Sequence, residues 1–246
     1  MQKLKILITN DDGIENEGIK HLAAWAKTFA EVTVVAPKKE QSAKSHGIEI
    51  RNAVEIKRVD FMDGVEAWSM DSTPADCIRF GITGLKRRYD FVFSGINHGV
   101  NVGADVVYSG TVAAIFEAAR LRHKAVAFSS FFKSQAIAAK HLGRAFAYLT
   151  DNNLFDENII YNINIPNEPI GVRMTYQGTD YFSDDFVKAD GEDMYLQVGE
   201  IIPDECPDDM DRDTVAVHAG YITVTPLLAT RTNMQVFEKY RTVDMK

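Results

Sequence analysis

Cysteine is scarce in this chain: Cys77 and Cys206 are the only two among 246 residues, far apart and in unlike contexts. That argues against a disulfide framework or a thiolate zinc cluster and fits two reduced thiols in a cytoplasmic protein. Long apolar runs are also missing. No stretch reaches the roughly 18 apolar residues that a membrane-spanning helix needs, so no membrane partner is expected. The opening Met1-Gln2-Lys3-Leu4-Lys5-Ile6-Leu7 turns strand-like within a few residues and lacks a signal peptide's apolar region, which again predicts the cytoplasm. Positive charge is in deficit, with 27 Lys and Arg against 35 Asp and Glu and a net charge of −8. Wide contact with a nucleic-acid backbone relies on clustered cations, so no nucleic-acid polymer is expected as a partner. Small anions stay compatible, because a bound metal ion reverses the local field. No G-x-G-x-x-G follows the first strand, which counts against a nicotinamide or flavin cofactor. Internal repeats and low-complexity linkers are absent.

What is present reads as alternating strands and helices. Residues 4–9 (LKILIT), 32–36 (VTVVA), 91–93, 125–129 and 159–165 are short, nearly continuous apolar runs, the pattern of strands covered on both faces. Helical spacing appears over 18–29, where Ile19, Leu22, Ala23, Ala26 and Phe29 fall on one side, and again over 111–122 and 135–149. This order predicts an α/β fold with a Rossmann-like, mostly parallel sheet flanked by helices and right-handed crossovers. Residues 48–57 and 65–69 read as edge strands, and 94–108 as a loop rich in Gly and Asn. Ser72-Thr73-Pro74-Ala75-Asp76 reads as a capped helix start. The last third is denser in Asp and Glu, with a short strand near 194–198, a late strand at 221–225 and a terminal helix over 234–240. It is read as one domain, with a core over about 1–170 and a hairpin or arm extension over about 171–246.

Four polar segments sit where such a sheet forms a ligand crevice, at the carboxyl ends of strands and at a helix start. Asn10-Asp11-Asp12-Gly13 closes the first strand, and two adjacent carboxylates there repel unless a cation or proton intervenes. Gln41-Ser42-Ala43 follows the second strand, in a loop that also holds His46. Ser94-Gly95-Ile96-Asn97-His98 leaves the third. Tyr108-Ser109-Gly110-Thr111 opens an apolar helix, where free N–H groups at the positive end suit an anion. Taken singly, each has an ordinary reading as a turn, a solvated loop or a helix cap. Together they gather hard oxygen donors, suited to Mg²⁺, Mn²⁺ or Ca²⁺ rather than zinc, beside a phosphate site.

Those segments, with Val34-Val35-Ala36-Pro37, Thr73-Pro74-Ala75-Asp76-Cys77 and Val112-Ala113-Ala114, resemble the SurE family of nucleotidases, stationary-phase survival protein E. Weaker echoes run through Tyr161-Asn162-Ile163-Asn164-Ile165-Pro166 and Gly220-Tyr221-Ile222-Thr223-Val224-Thr225-Pro226-Leu227. The resemblance implies a divalent-metal phosphatase acting on nucleoside 5′- and 3′-monophosphates, in some members also on short polyphosphate. It implies one cation per subunit, held by Asp11, Asp12, Ser42 and Asn97, with phosphate contacts at Ser109, Gly110 and Thr111. It also implies homodimers or homotetramers that exchange C-terminal segments. Two positions depart from the family pattern: Gln41 stands where arginine is usual, and Ser72 where glycine is usual. Both bear on substrate preference and leave the metal-type oxygens intact.

In this reading Asp11 or Asp12 orients or deprotonates a water, and His46 and His98 are candidate substrate contacts. Two rivals remain. An aspartyl-phosphate mechanism would make Asp11 a nucleophile, but such enzymes typically separate their two aspartates by one residue, whereas Asp11 and Asp12 are adjacent. A non-catalytic metal- and nucleotide-binding regulator would use the same crevice without turnover.

Overall fold

A computed structural model describes residues 3–242. The sheet has nine strands in the order β3-β4-β2-β1-β5-β6-β7-β11-β8, and a separate two-stranded sheet pairs β9 with β10. The strands are β1 (Leu4–Thr9), β2 (Ala30–Pro37), β3 (Ile56–Met62), β4 (Val65–Met70), β5 (Phe91–His98), β6 (Lys124–Ser130), β7 (Ile160–Ile165), β8 (Gly171–Met174), β9 (Asp185–Lys188), β10 (Tyr195–Val198) and β11 (Tyr221–Pro226). From β4 to β7 every neighbouring pair is parallel, while β3 and β11 pair antiparallel with β4 and β7. This is the mostly parallel α/β sheet expected from the sequence. Because β8 and β11 belong to it, the main sheet runs well past residue 170.

Alternation along the central strands builds two cores. Ile6, Ile8, Phe93, Val126 and Phe128 point to one face, where they meet α1 (Glu17–Lys27), α4 (Gln135–Ala139) and α5 (Leu142–Asp151). Leu7, Val35, Val92, Ala125 and Ala127 point to the other, under α2 (Pro74–Arg79) and α3 (Gly110–Arg120). Ile6, Leu7 and Ile8 are all fully buried, which is why residues 4–9 show no polar alternation. On the first face Trp25, Phe93, Phe128 and Phe146 interlock with ring centroids 5.3–6.0 Å apart.

Three expectations need correction. Residues 48–55 are irregular, and the edge strand begins only at Ile56. Ile50 is 77% exposed, and the backbone there bonds to carboxylates instead of a neighbouring strand: Glu49 N to Asp76 Oδ2, and Arg51 N and Asn52 N to the Glu49 side chain. The loop expected over 94–108 is partly strand, since β5 continues to His98 and a short 3-10 turn spans Ala104–Tyr108. Gly95 permits this continuation. Its φ is +126°, and a Cβ there would lie 2.1 Å from the Phe128 carbonyl oxygen of β6. The single helix expected over 135–149 breaks into α4 and α5, where the Lys140 and His141 N–H groups bond three residues back, to Ile137 O and Ala138 O.

The acidic region carries the expected hairpin, β9 with β10. Cross-strand pairing places Phe186 and Tyr195 on one face of it and Val187 and Leu196 on the other, and all four are exposed. The terminal helix α7 (Met234–Tyr240) has no buried residue. No helix among the described residues is long and apolar enough to cross a membrane.

Candidate active site

Strand order reverses between β1 and β5: the chain moves from β1 out to β2 and β4 on one side, then from β5 out to β6 and β7 on the other. The carboxyl ends at such a switch point leave a crevice between diverging loops. Asp11 and Asp12 follow β1, and Asn97 and His98 end β5, so the topology alone brings these four together. A crevice of about 850 Å³ opens there, lined by Asp11, Asp12, Ser42, Asn97, His98 and Ser109, with its far wall from residues 181–184 and 197–199.

Each group is fixed by a distinct local device. Asn10 orders the turn after β1 by donating its side-chain N–H to Gly13 O at 2.8 Å. Asp11 is buried beneath the start of α3. Its Oδ1 accepts the Thr111 hydroxyl at 2.5 Å and its Oδ2 the Thr111 backbone N–H at 3.1 Å. Asp12 stands more open, with Oδ2 accepting the backbone N–H of His98 at 3.1 Å. Asn97 donates its amide N–H to Gly99 O at 2.8 Å, which fixes the side chain and leaves the acceptor Oδ1 for a ligand. Ser42 donates its hydroxyl to Glu40 Oε1 at 2.6 Å, leaving oxygen lone pairs for a ligand.

Burial pushes the Asp11 carboxyl above its ordinary range, against the lowering pull of the Thr111 hydrogen bonds. Asp12 is raised to about 7, first by burial and then by the neighbouring Asp11 charge. The crevice lining adds three further carboxylates, Glu40, Asp105 and Asp184, and includes no Lys or Arg among the described residues. So much uncompensated negative charge would repel any anionic ligand unless a cation is bound. The donor set fits a hard divalent ion: two carboxylates with neutral hydroxyl and amide oxygens. No group of three His, Cys, Asp or Glu side chains is placed to hold a metal ion among the described residues, so the candidate ligand set depends on the hydroxyl and amide oxygens beside the two carboxylates.

Two of the expected contacts lie outside the crevice lining. Thr111 is fully buried and gives both its hydroxyl and its N–H to Asp11. The next helical N–H groups are also taken, Val112 N by Ser109 Oγ and Ala113 N by Ser109 O. Of the three anticipated phosphate contacts, Ser109 lines the crevice and Gly110 adjoins it. His46 is the second. Its Nε2 lies 2.9 Å from Glu117 Oε2, outside the crevice lining. Glu117 is buried on α3, and although burial pushes its carboxyl upward, hydrogen bonds from His46 and Arg120 hold it at about 2. A deeply buried carboxylate claims the histidine.

The two departures from the family pattern are absorbed locally. Gln41 gives its backbone N–H to Asp11 O at 2.7 Å, and its side chain is not among the crevice-lining groups. Ser72 donates its hydroxyl to Asp76 Oδ2 at 2.6 Å at the start of α2.

Several supporting residues were not assigned from the sequence. Asn101 is clamped by two buried asparagines of β7: its carbonyl accepts from Asn162 Nδ2 at 2.7 Å and Asn164 Nδ2 at 2.9 Å. The sequence cue was two amides at alternate positions in an otherwise apolar strand. Asp105 accepts the N–H groups of Tyr181 and Phe182, both at 2.9 Å, and so ties the far wall to the crevice. Asp213, raised to about 6 by burial, receives N–H groups from Gly103, Gly178 and Thr214.

The Asp12 shift makes a sign-definite prediction for the metal-free protein. A carboxyl whose folded pKa is raised from 3.8 to about 7 stabilises the fold fully below pH 3.8. That contribution is lost as pH climbs toward 7 and stays lost above it. Thermal melts of wild type and Asp12→Asn in chelator should therefore diverge across this window, wild type losing stability relative to the variant. A constant difference from pH 4 to 8 would refute the shift.

A family model described as "Survival protein SurE" matches residues 6–184. A curated protein named 5′-nucleotidase SurE from Thermoanaerobacter sp. (strain X514) is 36% identical over 234 residues, covering 91% of this chain and 92% of its own length. A protein of the same name from Picosynechococcus sp. is 38% identical over 251 residues, covering 91% of each. The crystal structure of the SurE protein from Aquifex aeolicus superposes with a TM-score of 0.79 at 29% identity, over 98% of this chain and 100% of that one. The chain belongs to the SurE family.

Proposed function

We propose that this protein is a divalent-metal-dependent phosphomonoesterase that hydrolyses nucleoside 5′-monophosphates to nucleoside and phosphate. The observation that carries the reading is the crevice at the β1–β5 switch point, where Asp11 and Asp12 meet neutral oxygens in an acidic lining without Lys or Arg. The relatives named 5′-nucleotidase SurE support it. Nucleoside 3′-monophosphates fit the same chemistry, since the reacting group is the phosphoryl.

Asp11, Asp12, Ser42 and Asn97 would hold the cation. Bound there, Mg²⁺ or Mn²⁺ (Ca²⁺ being able to occupy the same oxygens) would neutralise phosphoryl charge and lower the pKa of a bound water. Asp11 serves as the fixed anchor, because Thr111 immobilises both of its oxygens. Asp12 keeps Oδ1 clear of those bonds and is the carboxylate suited to orient the attacking water. Ser109 and the Gly110 N–H are the donors for the non-bridging oxygens. His98 is the one histidine lining the crevice, and its imidazole is the group to protonate the leaving 5′-oxygen. An aspartyl-phosphate route is disfavoured, since the two aspartates are adjacent and Asp11 is only 4% exposed beneath α3.

Phosphate release from AMP should cease with EDTA and return with Mg²⁺ or Mn²⁺. Asp12→Asn should lower kcat by at least about 100-fold while circular dichroism stays native. Binding of AMP without any phosphate release under Mg²⁺ or Mn²⁺ would favour the non-catalytic regulator instead.

Gly110 offers a sharper test. A Cβ there would lie 2.8 Å from the Asp11 Cβ and 3.0 Å from its Oδ2. Gly110→Ala must therefore displace the metal-binding carboxylate as well as any phosphate. It should weaken Mn²⁺ binding by calorimetry and lower turnover together, whereas Ser109→Ala should impair AMP hydrolysis with Mn²⁺ affinity retained. Wild-type Mn²⁺ affinity in Gly110→Ala would separate Gly110 from the metal site.

For assembly we read the β9–β10 hairpin and α7 as surfaces covered by a second copy. A lone two-stranded hairpin is marginal in water, and this one bares apolar side chains on both faces. Light scattering should give a dimer or tetramer, and replacing Phe186 and Tyr195 together by Ser should lower the mass. A monomeric wild type would end this reading.

A further inference from the structure

Phe132 belongs to the apolar part of a crevice whose other groups are acidic. It is 68% exposed, while its neighbour Phe131 lies outside the lining and packs against Val102, Tyr181 and Val217. The turn carrying the pair is closed by Ser134, whose N–H bonds to Phe131 O at 3.0 Å. Phe131 thus anchors the turn, and Phe132 is left presented to the crevice.

The exposed ring is nonetheless held in place. It stacks on the His98 imidazole with centroids 4.0 Å apart and planes 19° from parallel. The backbone N–H of His98 bonds to Asp12 at 3.1 Å, so the stacked pair is tied to the carboxylate at the reacting centre. Facing walls of the same crevice come from Phe182 and Val198, with the chain at Phe182 pinned by Asp105. Lys133 Nζ lies 6.0 Å from the Phe132 centroid, on an exposed chain free to move aside.

We propose that Phe132, backed by the stacked His98 ring, is the nucleobase platform of the site, a specificity determinant that selects nucleotides over base-free phosphate esters. The inference rests on the phosphomonoesterase reading. A rigid aromatic face at the rim of a crevice of about 850 Å³ suits a planar, neutral ring whose attached phosphate reaches the oxygen cluster. Every base has a π-face, so stacking of this kind discriminates base from no base far more than one base from another. The site should accept several nucleoside monophosphates, larger purine rings gaining most.

The test compares AMP with ribose 5-phosphate, which keeps the phosphate and sugar and lacks the base. With wild-type protein and Mn²⁺, AMP should be preferred in kcat/KM and in calorimetric binding. Phe132→Ala should reduce that preference by about 5- to 100-fold, the range for removing one stacking partner, and Phe132→Trp should restore it. Because the side chain is exposed, both variants should fold. An AMP preference unchanged within two-fold in Phe132→Ala, or a wild type that binds both compounds equally, overturns the platform and leaves the phosphatase reading standing. Preferential AMP binding that collapses in Phe132→Ala supports the platform even in a protein without turnover, in which case only the phosphatase reading fails.

Discussion

The contact between Asp11 and the first turn of α3 is the constraint on which the site depends. Thr111 gives both its hydroxyl and its N–H to one carboxylate, and Gly110 brings the helix backbone close enough to do so. This joins the end of β1 to the start of a helix 100 residues later in the chain. A buried acid in that position carries a desolvation cost that two hydrogen bonds only partly offset, which is why its pKa stays raised. The arrangement is more favourable once positive charge arrives, so the fold keeps a cation-seeking group ready at a fixed place. The stability given up there is recovered in the two fully buried faces of the sheet.

Helix α3 does two jobs through opposite ends of its first turns. Its opening residues clamp Asp11, while Glu117, nearly two turns on, gathers His46, Arg79 and Arg120. That second cluster fastens the loop after β2 to the helix, and the same loop carries Ser42 back toward the crevice. His46 thus ties the loop that carries Ser42 to the helix. The distinction turns on burial: a carboxylate 2% exposed needs permanent partners, whereas Asp12 is open enough to keep an oxygen for chemistry.

Much of this was legible in the sequence because it depends on local rules. Continuous apolar runs gave the buried strands, and the order of strands and helices implied a crevice at carboxyl ends, which placed Asp11, Asp12, Ser42, Asn97 and Ser109 together. What escaped depends on non-local pairing. Thr111 looks like any helix-start hydroxyl until Asp11 is seen beneath it. The extension of β5 past Gly95 follows from a carbonyl on β6 that leaves no room for a side chain. The irregular run before Ile56 follows from Asp76 and the Glu49 side chain competing for backbone N–H groups that a strand would have used.

The same logic explains why the far wall of the crevice was the least readable part. Residues 181–184 carry no apolar periodicity of their own and depend on a carboxylate elsewhere, since Asp105 takes the N–H groups of Tyr181 and Phe182. Residues 197–198 are held by pairing with 185–186 in the β9–β10 hairpin, and Asp213 braces the neighbouring loops in the same way through Gly103 and Gly178. Acids that look like surface charge in the sequence here act as acceptors for buried backbone. Asp11 and Glu40 are the carboxylates whose charge raises Asp12, and Asp105 and Asp184 line the same crevice. The acids of this region thus do two things at once, bracing irregular loops and giving the crevice a negative lining that favours a cation over a bare anion.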